Sequence, residues 1–341
     1  MPFRDEAEFV HWLRRRWPGH GLGLTLGIGD DAAIVKPARG CDLVLTTDLS
    51  IEGVHFRLDL HPARSIGHRT LARSLSDLAA MGARPRFALL SLSLRRTTPR
   101  SWISGFYEGL GRLAKSQGVT LIGGDTALTA SDAVMADAVA IGEVPHDQAL
   151  RRRGARPGDS VYVTGRLGLS ALGLALLEPK KRAPRSAASA GELRMGDRRA
   201  AFKAHLYPEP RCRVGIALAR RGLVSAAIDI SDGLARDLGR LCDASGCGAM
   251  IWEDRLPLAN LKEASGATPL ELGLYGGEDY ELLFTVPRSR FSRVPRAISG
   301  VVLHRIGEIR SGRGLTLVGR GGVARPIETR GYDHFRGPLL R

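Results

Sequence analysis

Residues 43–50 read LVLTTDLS, and the fold is decided by how this stretch is taken. Apolar residues run into a polar Thr-Thr-Asp end, as expected of a buried strand that stops at a polar site. The pattern continues on both sides. Downstream, residues 63–81 have helical periodicity, with Ile66, Leu71, Leu75 and Leu78 on one side and Gly82 as a stop. FALLSLSL (87–94) alternates as a strand does, Pro99 opens a helix over 99–117, and VTLIGGD (119–125) and residues 133–144 are two further strands. Upstream lie an amphipathic helix (5–16) and the glycine-rich turn GLGLTLGIGDDAA. An Arg- and Gly-rich break over 145–158 separates this half from the next, so the sequence predicts domains over 1–147 and 148–341.

The second half restarts with the strand VYVTG (161–165) and the helix LGLSALGLALLE (167–178). Residues 179–210, rich in Pro and Arg, read as a long loop with some helix. A helix (211–221), a strand (225–230), a helix opening at SDGL (231–234) and a short strand (248–252) follow. The loop YGGEDYE leads into strand LLFTV (282–286), then a helix near 288–298 and strands near 303–309 and 315–318. Strands and helices alternate in both halves, so the predicted fold class is α/β (α+β).

Composition narrows the function classes. At 341 residues the chain exceeds what one core usually organises, in keeping with two domains. Its apolar stretches fall far short of the roughly 20 residues of a bilayer helix. The acidic, poorly apolar N-terminal stretch does not read as a signal peptide, so a cytoplasmic location is expected. Four cysteines (Cys41, Cys212, Cys242 and Cys247) form no CxxC pair and are read as reduced.

The formal charge of +15 raises the question of nucleic acid. Ten Lys or Arg against three acids lie in 179–213, and eight Arg against three acids in 301–341, so two segments carry most of the excess. Neither segment interleaves aromatics with its basic residues, and a solvated basic surface is preferred to a nucleic-acid groove.

Chemistry points instead to aspartates at strand ends and tight turns: Asp30 and Asp31, Asp48, Asp77, Asp125, and Asp229 with Asp232. A single Asp in a turn is more often a cap. Five separate Asp-bearing turns beside Gly, Ser or Thr favour hard divalent cations, which take carboxylate, phosphate and water oxygens. No P-loop, protein-kinase string or Rossmann glycine pattern is present, so a bound nucleotide would be held by metal ions, backbone amides and Arg.

In order along the chain, GIGDDAAIV, TTDLSIEGVHF, LSDLAAMGARP, LIGGDTA, ALRRRGARPGD, AIDISDGLARDL, YGGEDYELLFTV and GYDHF resemble the thiamine-monophosphate kinases, of the aminoimidazole ribonucleotide synthetase-like superfamily. The resemblance spans nearly the whole chain, from Gly27 to Phe335. It implies an N-terminal sheet that pairs with that of a second subunit in a homodimer, and an α/β C-terminal domain. It further implies ATP-dependent conversion of thiamine monophosphate to thiamine diphosphate. Several Mg²⁺ ions would be ligated by Asp31, Thr46, Thr47, Asp48, Asp77, Asp125, Asp229 and Asp232. Tyr107, Gly124, Asp125, Arg152 (in the run Arg151–Arg153) and Ser231 would contact ATP. His55, Glu278 and Tyr332 would contact thiamine monophosphate.

The residues agree with that reaction. An acceptor phosphate is largely ionised at neutral pH, its second pKa being about 6, and needs no strong base. The sequence offers many metal ligands and no convincing base. Selenophosphate synthetases resemble the chain less, lacking here a reactive Cys near the N-terminus, and the hydrogenase-maturation dehydratases use a C-terminal Cys, whereas the last cysteine here is Cys247. A rival of another class is a catalytically silent basic protein that binds nucleic acid through 179–213.

Overall fold

The computed structural model describes residues 6–17, 21–129, 131, 133–178, 195–259 and 267–332. The chain forms two compact units, one of residues up to Ala149 and one from Leu150 onward, with the short stretch Ala79–Gly82 belonging to the second.

The first unit holds α1 (Glu6–Arg16), β1 (Leu24–Leu26), β2 (Ile34–Val35), β3 (Cys41–Ile51), α2 (Ala63–Ala80), β4 (Arg84–Leu94), α3 (Arg100–Gln117), β5 (Thr120–Leu128) and β6 (Met135–Pro145). Its main sheet has the order β3-β6-β4-β5, antiparallel except for the β4–β5 pair that α3 connects. Side-chain alternation divides this sheet into two faces. Ala88, Leu90, Leu92, Ala136, Ala138 and Ala140 are buried. The Ser74 hydroxyl of α2 donates to the Ala138 carbonyl at 2.7 Å and fastens the helix there. Helices α2 and α3 lie backbone to backbone, because a Cβ on Gly67 would sit 1.9 Å from the Phe106 carbonyl oxygen and one on Gly109 would sit 1.8 Å from that of Arg64. Any larger residue there would force the helices apart. The opposite face is different: Leu43, Leu45 and Leu49 of the edge strand β3 are exposed.

The second unit holds β7 (Ser160–Thr164), α4 (Leu169–Leu177), α5 (Met195–Leu206), α6 (Cys212–Arg220), β8 (Ala226–Ile230), α7 (Leu234–Ser245), β9 (Gly248–Trp252), α8 (Pro269–Tyr275), β10 (Glu281–Val286), β11 (Ala297–Ile298), β12 (Val301–Arg310), β13 (Gly314–Val318) and β14 (Ala324–Ile327). The sheet order is β14-β13-β9-β12-β7-β10-β8, with β11 beside β12. Strands β7, β8 and β10 are buried at every residue, which explains their near-continuous apolar sequences. Leu234, Leu238 and Leu241 of α7 join Val163, Ile228 and Leu283 in one core.

Several elements depart from the sequence reading. The helix expected near 288–298 is a 3₁₀ turn over Arg288–Arg293 followed by β11. Pro295 explains the break, because it pushes Val294 into extended backbone (ψ 118°) and supplies no N–H to continue a helix. Helix α8, with Thr268 and Glu271 closing a reciprocal cap around Pro269, and strand β14 were not expected. Of the segment 179–210, residues 195–206 are helical, while 179–194 lie outside the described residues.

Candidate active site

In the first unit the expected ligands fall on two faces of one sheet. Strand alternation sends Thr46 and Asp48 toward α2 and Thr47 the other way. Thr46 Oγ1 donates to Asp77 Oδ2 at 2.5 Å, and Arg73 Nη2 stands 3.6 Å from Asp48 Oδ1. Two carboxylates, a hydroxyl and one arginine are thus held between β3 and α2. Burial raises the Asp48 carboxyl to about 6; Arg73 pulls it down, and the negative charge of Asp77 pushes it up again. A carboxylate in this condition gains most when a cation arrives.

Thr47 Oγ1 instead donates to Asp137 Oδ1 at 2.7 Å on the face of the sheet that bears the exposed leucines. Asp137 is in register with Leu49 and Ser91, and Ser91 in turn with Asp125, so Asp137, Ser91 and Asp125 form a polar row across β6, β4 and β5. Asp137 was missed by the sequence reading because MADAVAIG carries no turn or glycine signal around it. The signal available was strand periodicity, which places residue 137 on the side opposite Ala136 and Ala138.

Gly124, next to Asp125, has a φ of 150°, and a Cβ there would lie 1.9 Å from the Leu90 carbonyl oxygen. Only glycine lets β5 bend this closely against β4. Asp31 is exposed in the turn between β1 and β2, its amide donating to Asp30 Oδ1. The His55 ring Nδ1 accepts from the Ile51 amide at 3.0 Å, so the imidazole closes the turn after β3. The Tyr107 hydroxyl is hydrogen-bonded to Thr126, the neighbour of Asp125. Tyr107 is 2% exposed, among Phe9, Trp12, Trp17 and Phe106, and burial pushes its hydroxyl pKa upward.

In the second unit four expected positions, Ser231, Asp232, Glu278 and Tyr332, meet at the loop that ends β8. The Glu278 amide donates to the Ser231 carbonyl at 2.7 Å, and the Tyr332 amide donates to the Asp232 carbonyl at 3.2 Å. Gly277 and Gly331 permit these approaches: a Cβ on either would press on a Ser231 or Asp232 carbonyl oxygen, at 2.7 and 2.4 Å. Asp232 is paired with Arg240 at 2.7 Å, with Arg236 at 3.8 Å. Fully buried Asp237, another residue the sequence reading passed over, accepts from the Ser231 and Asp232 amides at 3.0 and 2.9 Å and from Arg240 at 2.8 Å. It is the hub that shapes this loop. Asp229 is buried on β8 opposite Leu282. Arg152 is exposed, with its carbonyl accepting from Ser245. The GYDHF motif beyond Tyr332 lies outside the described residues.

The donor set suits Mg²⁺: it consists of carboxylate and hydroxyl oxygens, without thiolate or imidazole at Thr46, Asp48 and Asp77. Among the described residues no three His, Cys, Asp or Glu side chains by themselves form a cation cage.

Comparison with known proteins gives a consistent result. The AIR synthase related protein N-terminal domain matches residues 29–144, and the corresponding C-terminal domain matches residues 156–320. The thiamine-monophosphate kinase of Salmonella typhimurium is 39% identical over 93% of this chain and 94% of its own. That of Bacillus subtilis is 33% identical over 97% of this chain and 100% of its own. Among solved structures, thiamine-monophosphate kinase from Stenotrophomonas maltophilia superposes with a TM-score of 0.76 at 35% identity, covering 91% of this chain and 96% of that one. A structure described as AaThiL complexed with AMPPCP and TMP gives 0.73 at 31% identity, covering 97% of each chain. With both domains and the motifs of both units accounted for, the chain belongs to the thiamine-monophosphate kinases of the AIR synthase-related family.

Proposed function

We propose that the protein transfers the γ-phosphoryl group of ATP directly to thiamine monophosphate, giving thiamine diphosphate, the last step in making that cofactor. The observation that carries this reading is the grouping of Thr46, Asp48 and Asp77 between β3 and α2, in a chain matched end to end by kinases of this name. Asp31, Thr46, Thr47, Asp48, Asp77, Asp125, Asp229 and Asp232 would hold Mg²⁺. When bound, Mg²⁺ neutralises phosphate charge and aligns donor with acceptor.

The protein's own part is positional. Tyr107, Gly124, Asp125, Arg152 and Ser231 are proposed to contact ATP, and His55, Glu278 and Tyr332 the acceptor. No side chain needs to take a proton, because the acceptor phosphate is already largely ionised near neutral pH. Arg side chains and oriented amides offset the repulsion between two anions, and alignment supplies most of the rate.

Residues 1–147 are proposed to serve ATP and Mg²⁺ and to dimerise, residues 148–341 to form the α/β C-terminal domain. Exposed Leu43, Leu45 and Leu49 support a homodimer that covers the open sheet face. No helix among the described residues is long and apolar enough to cross a membrane. A cytoplasmic enzyme without a nucleic-acid partner is the reading adopted.

The deciding experiment incubates purified protein with ATP, Mg²⁺ and thiamine monophosphate and separates the thiamine phosphates. Thiamine diphosphate formed in step with ADP is the expected result. ATP turnover without thiamine diphosphate, or turnover only with another acceptor, would overturn the reading.

A further inference from the structure

The loop that presents Glu278 is backed by a closed polar ring not foreshadowed by any motif. Asp279 accepts from the Gly168 amide at 2.7 Å and from the Ser170 amide at 3.2 Å, at the first turn of α4. Ser170 Oγ lies 3.1 Å from His205 Nδ1. The same Nδ1 lies 3.9 Å from Glu278 Oε2, and Glu278 leads back to Asp279. Ser170 and His205 are buried at 0% and 1% exposure, whereas a quarter of the Glu278 side chain remains exposed. One carboxylate therefore faces outward from an immobile base.

The backbone beneath it is strained. Glu278 has φ 67° and Tyr280 φ 49°, left-handed values that non-glycine residues adopt only where the surroundings impose them. His205 comes from α5, within the basic stretch read from sequence as a loop with some helix, and reaches the ring because Gly173 lets α5 lie on α4. A Cβ at Gly173 would be 2.3 Å from the Ala201 carbonyl oxygen and 2.6 Å from His205 Cβ.

We propose that His205, held by Ser170, is a positioning residue for thiamine monophosphate: it aims the Glu278 carboxylate at the amine-bearing pyrimidine ring of the substrate. The inference rests on the proposed role of Glu278. Carboxylate recognition of an amine N–H depends on the direction of the oxygen lone pairs, which a freely rotating Glu would spread over several rotamers. His205 and the strained loop remove that freedom before the substrate arrives, which lowers the entropic cost of binding.

Five single variants and one double variant test this, with KM for each substrate, kcat, and calorimetric binding of thiamine monophosphate in the presence of a non-hydrolysable ATP analogue. His205→Ala and Ser170→Ala should raise KM and Kd for thiamine monophosphate about tenfold, as the Glu278 carboxylate regains the rotamers that binding must then remove. KM for ATP and kcat should stay within about twofold. His205→Asn keeps a polar atom where Nδ1 stands and should recover most of the affinity, while His205→Gln places its amide at Nε2 and should resemble alanine. Glu278→Gln should weaken thiamine monophosphate at least as much, and adding His205→Ala to it should cost little more. If Glu278→Gln weakens the substrate but His205→Gln and Ser170→Ala leave its KM and Kd unchanged, the inference fails and the role of Glu278 stands. If Glu278→Gln has no effect, the role of Glu278 and the inference fall together. If KM for ATP and for thiamine monophosphate rise alike and His205→Asn is no better than Gln, His205 is only a packing residue and the inference is overturned.

Discussion

Thr46 on strand β3 donates its hydroxyl hydrogen to Asp77 on helix α2 across 2.5 Å, joining two motifs that lie 31 residues apart in the chain. The bond orients one Asp77 oxygen and leaves the other to meet a ligand. Thr46→Val keeps the shape and β propensity of the strand and removes the hydroxyl that donates to Asp77 and is proposed to ligate Mg²⁺. The expected result is a Mg²⁺ concentration for half-maximal rate raised about tenfold, with the melting temperature lowered by a few degrees, in line with about 1 kcal/mol for a part-buried hydrogen bond. A fall in melting temperature with unchanged Mg²⁺ dependence would make the bond a strand-to-helix fastener and nothing more.

Asp48 gives a prediction about pH. Burial lifts its carboxyl from the ordinary 3.8 to about 6. A raised carboxyl favours the folded state below pH 3.8, and that contribution is lost as pH rises through 6, so at pH 7.5 the metal-free protein holds an unwelcome charge. Asp48→Asn should therefore melt no lower than wild type at pH 7.5 without Mg²⁺, yet lose turnover by at least a hundredfold. Wild-type Mg²⁺ affinity should rise between pH 5.5 and 7.5 as the carboxyl ionises, and that rise should be much reduced in the variant. Calorimetric titration at the two pH values checks both. A metal-free variant that melts well below wild type would mark Asp48 as a structural partner of Arg73.

Asp237 is the residue whose importance only the fold reveals. Burial, followed by the charge of Asp232, raises its carboxyl to about 6, even though the Ser231 and Asp232 amides and Arg240 pull the other way. The sign is as for Asp48: its contribution to stability is complete below the unfolded value of 3.8 and is lost as pH climbs through 6. Asp237→Asn should flatten the decline of melting temperature between pH 4 and 7. It should also loosen the Ser231–Asp232 loop, since an amide cannot both accept from two backbone N–H groups and pair with Arg240. Hydrogen exchange of the Ser231 and Asp232 amides should speed up in the variant. Unchanged exchange would show that the turn is held without Asp237.

These cases show what could be read from the chain beforehand. Asp48, Asp77 and Glu278 stand beside Thr, Ser and Gly, where local spacing marks them although Asp48 lies within β3 and Asp77 within α2, and the structure ties Asp77 to Thr46 and draws Glu278 to Ser231. Asp137 and Asp237 stand inside a regular strand and helix, where one acid looks like any solvated position. His205 matters only because Gly173 lets two helices touch, a tertiary event that no local period encodes. Packing of α1 over Tyr107 is likewise a tertiary event, since its rings Phe9 and Trp12 come from a helix nearly a hundred residues away. The false helix near 288–298 follows from giving apolar spacing more weight than Pro295.

The open face of the first sheet supplies the last prediction. Leu45 is 62% exposed on edge strand β3, with Leu43 and Leu49 exposed on either side at period-two spacing. A β-strand edge carrying three such leucines is an invitation to pair, and nature usually blunts it with charge or covers it. A symmetric partner sheet would cover it at the cost of no new sequence, since a twofold contact uses one patch twice. Leu45→Glu would place like charges opposite each other across such an axis and bury neither with a counter-ion. Light scattering should show a dimer for the wild type and a monomer for Leu45→Glu at micromolar concentration, with far-UV circular dichroism preserved. Because Leu45 points away from Thr46 and Asp48, any loss of activity in that variant should be reversed by raising protein concentration. A wild type that scatters as a monomer, or a Leu45→Glu variant that remains a dimer, would mean that another element covers these leucines.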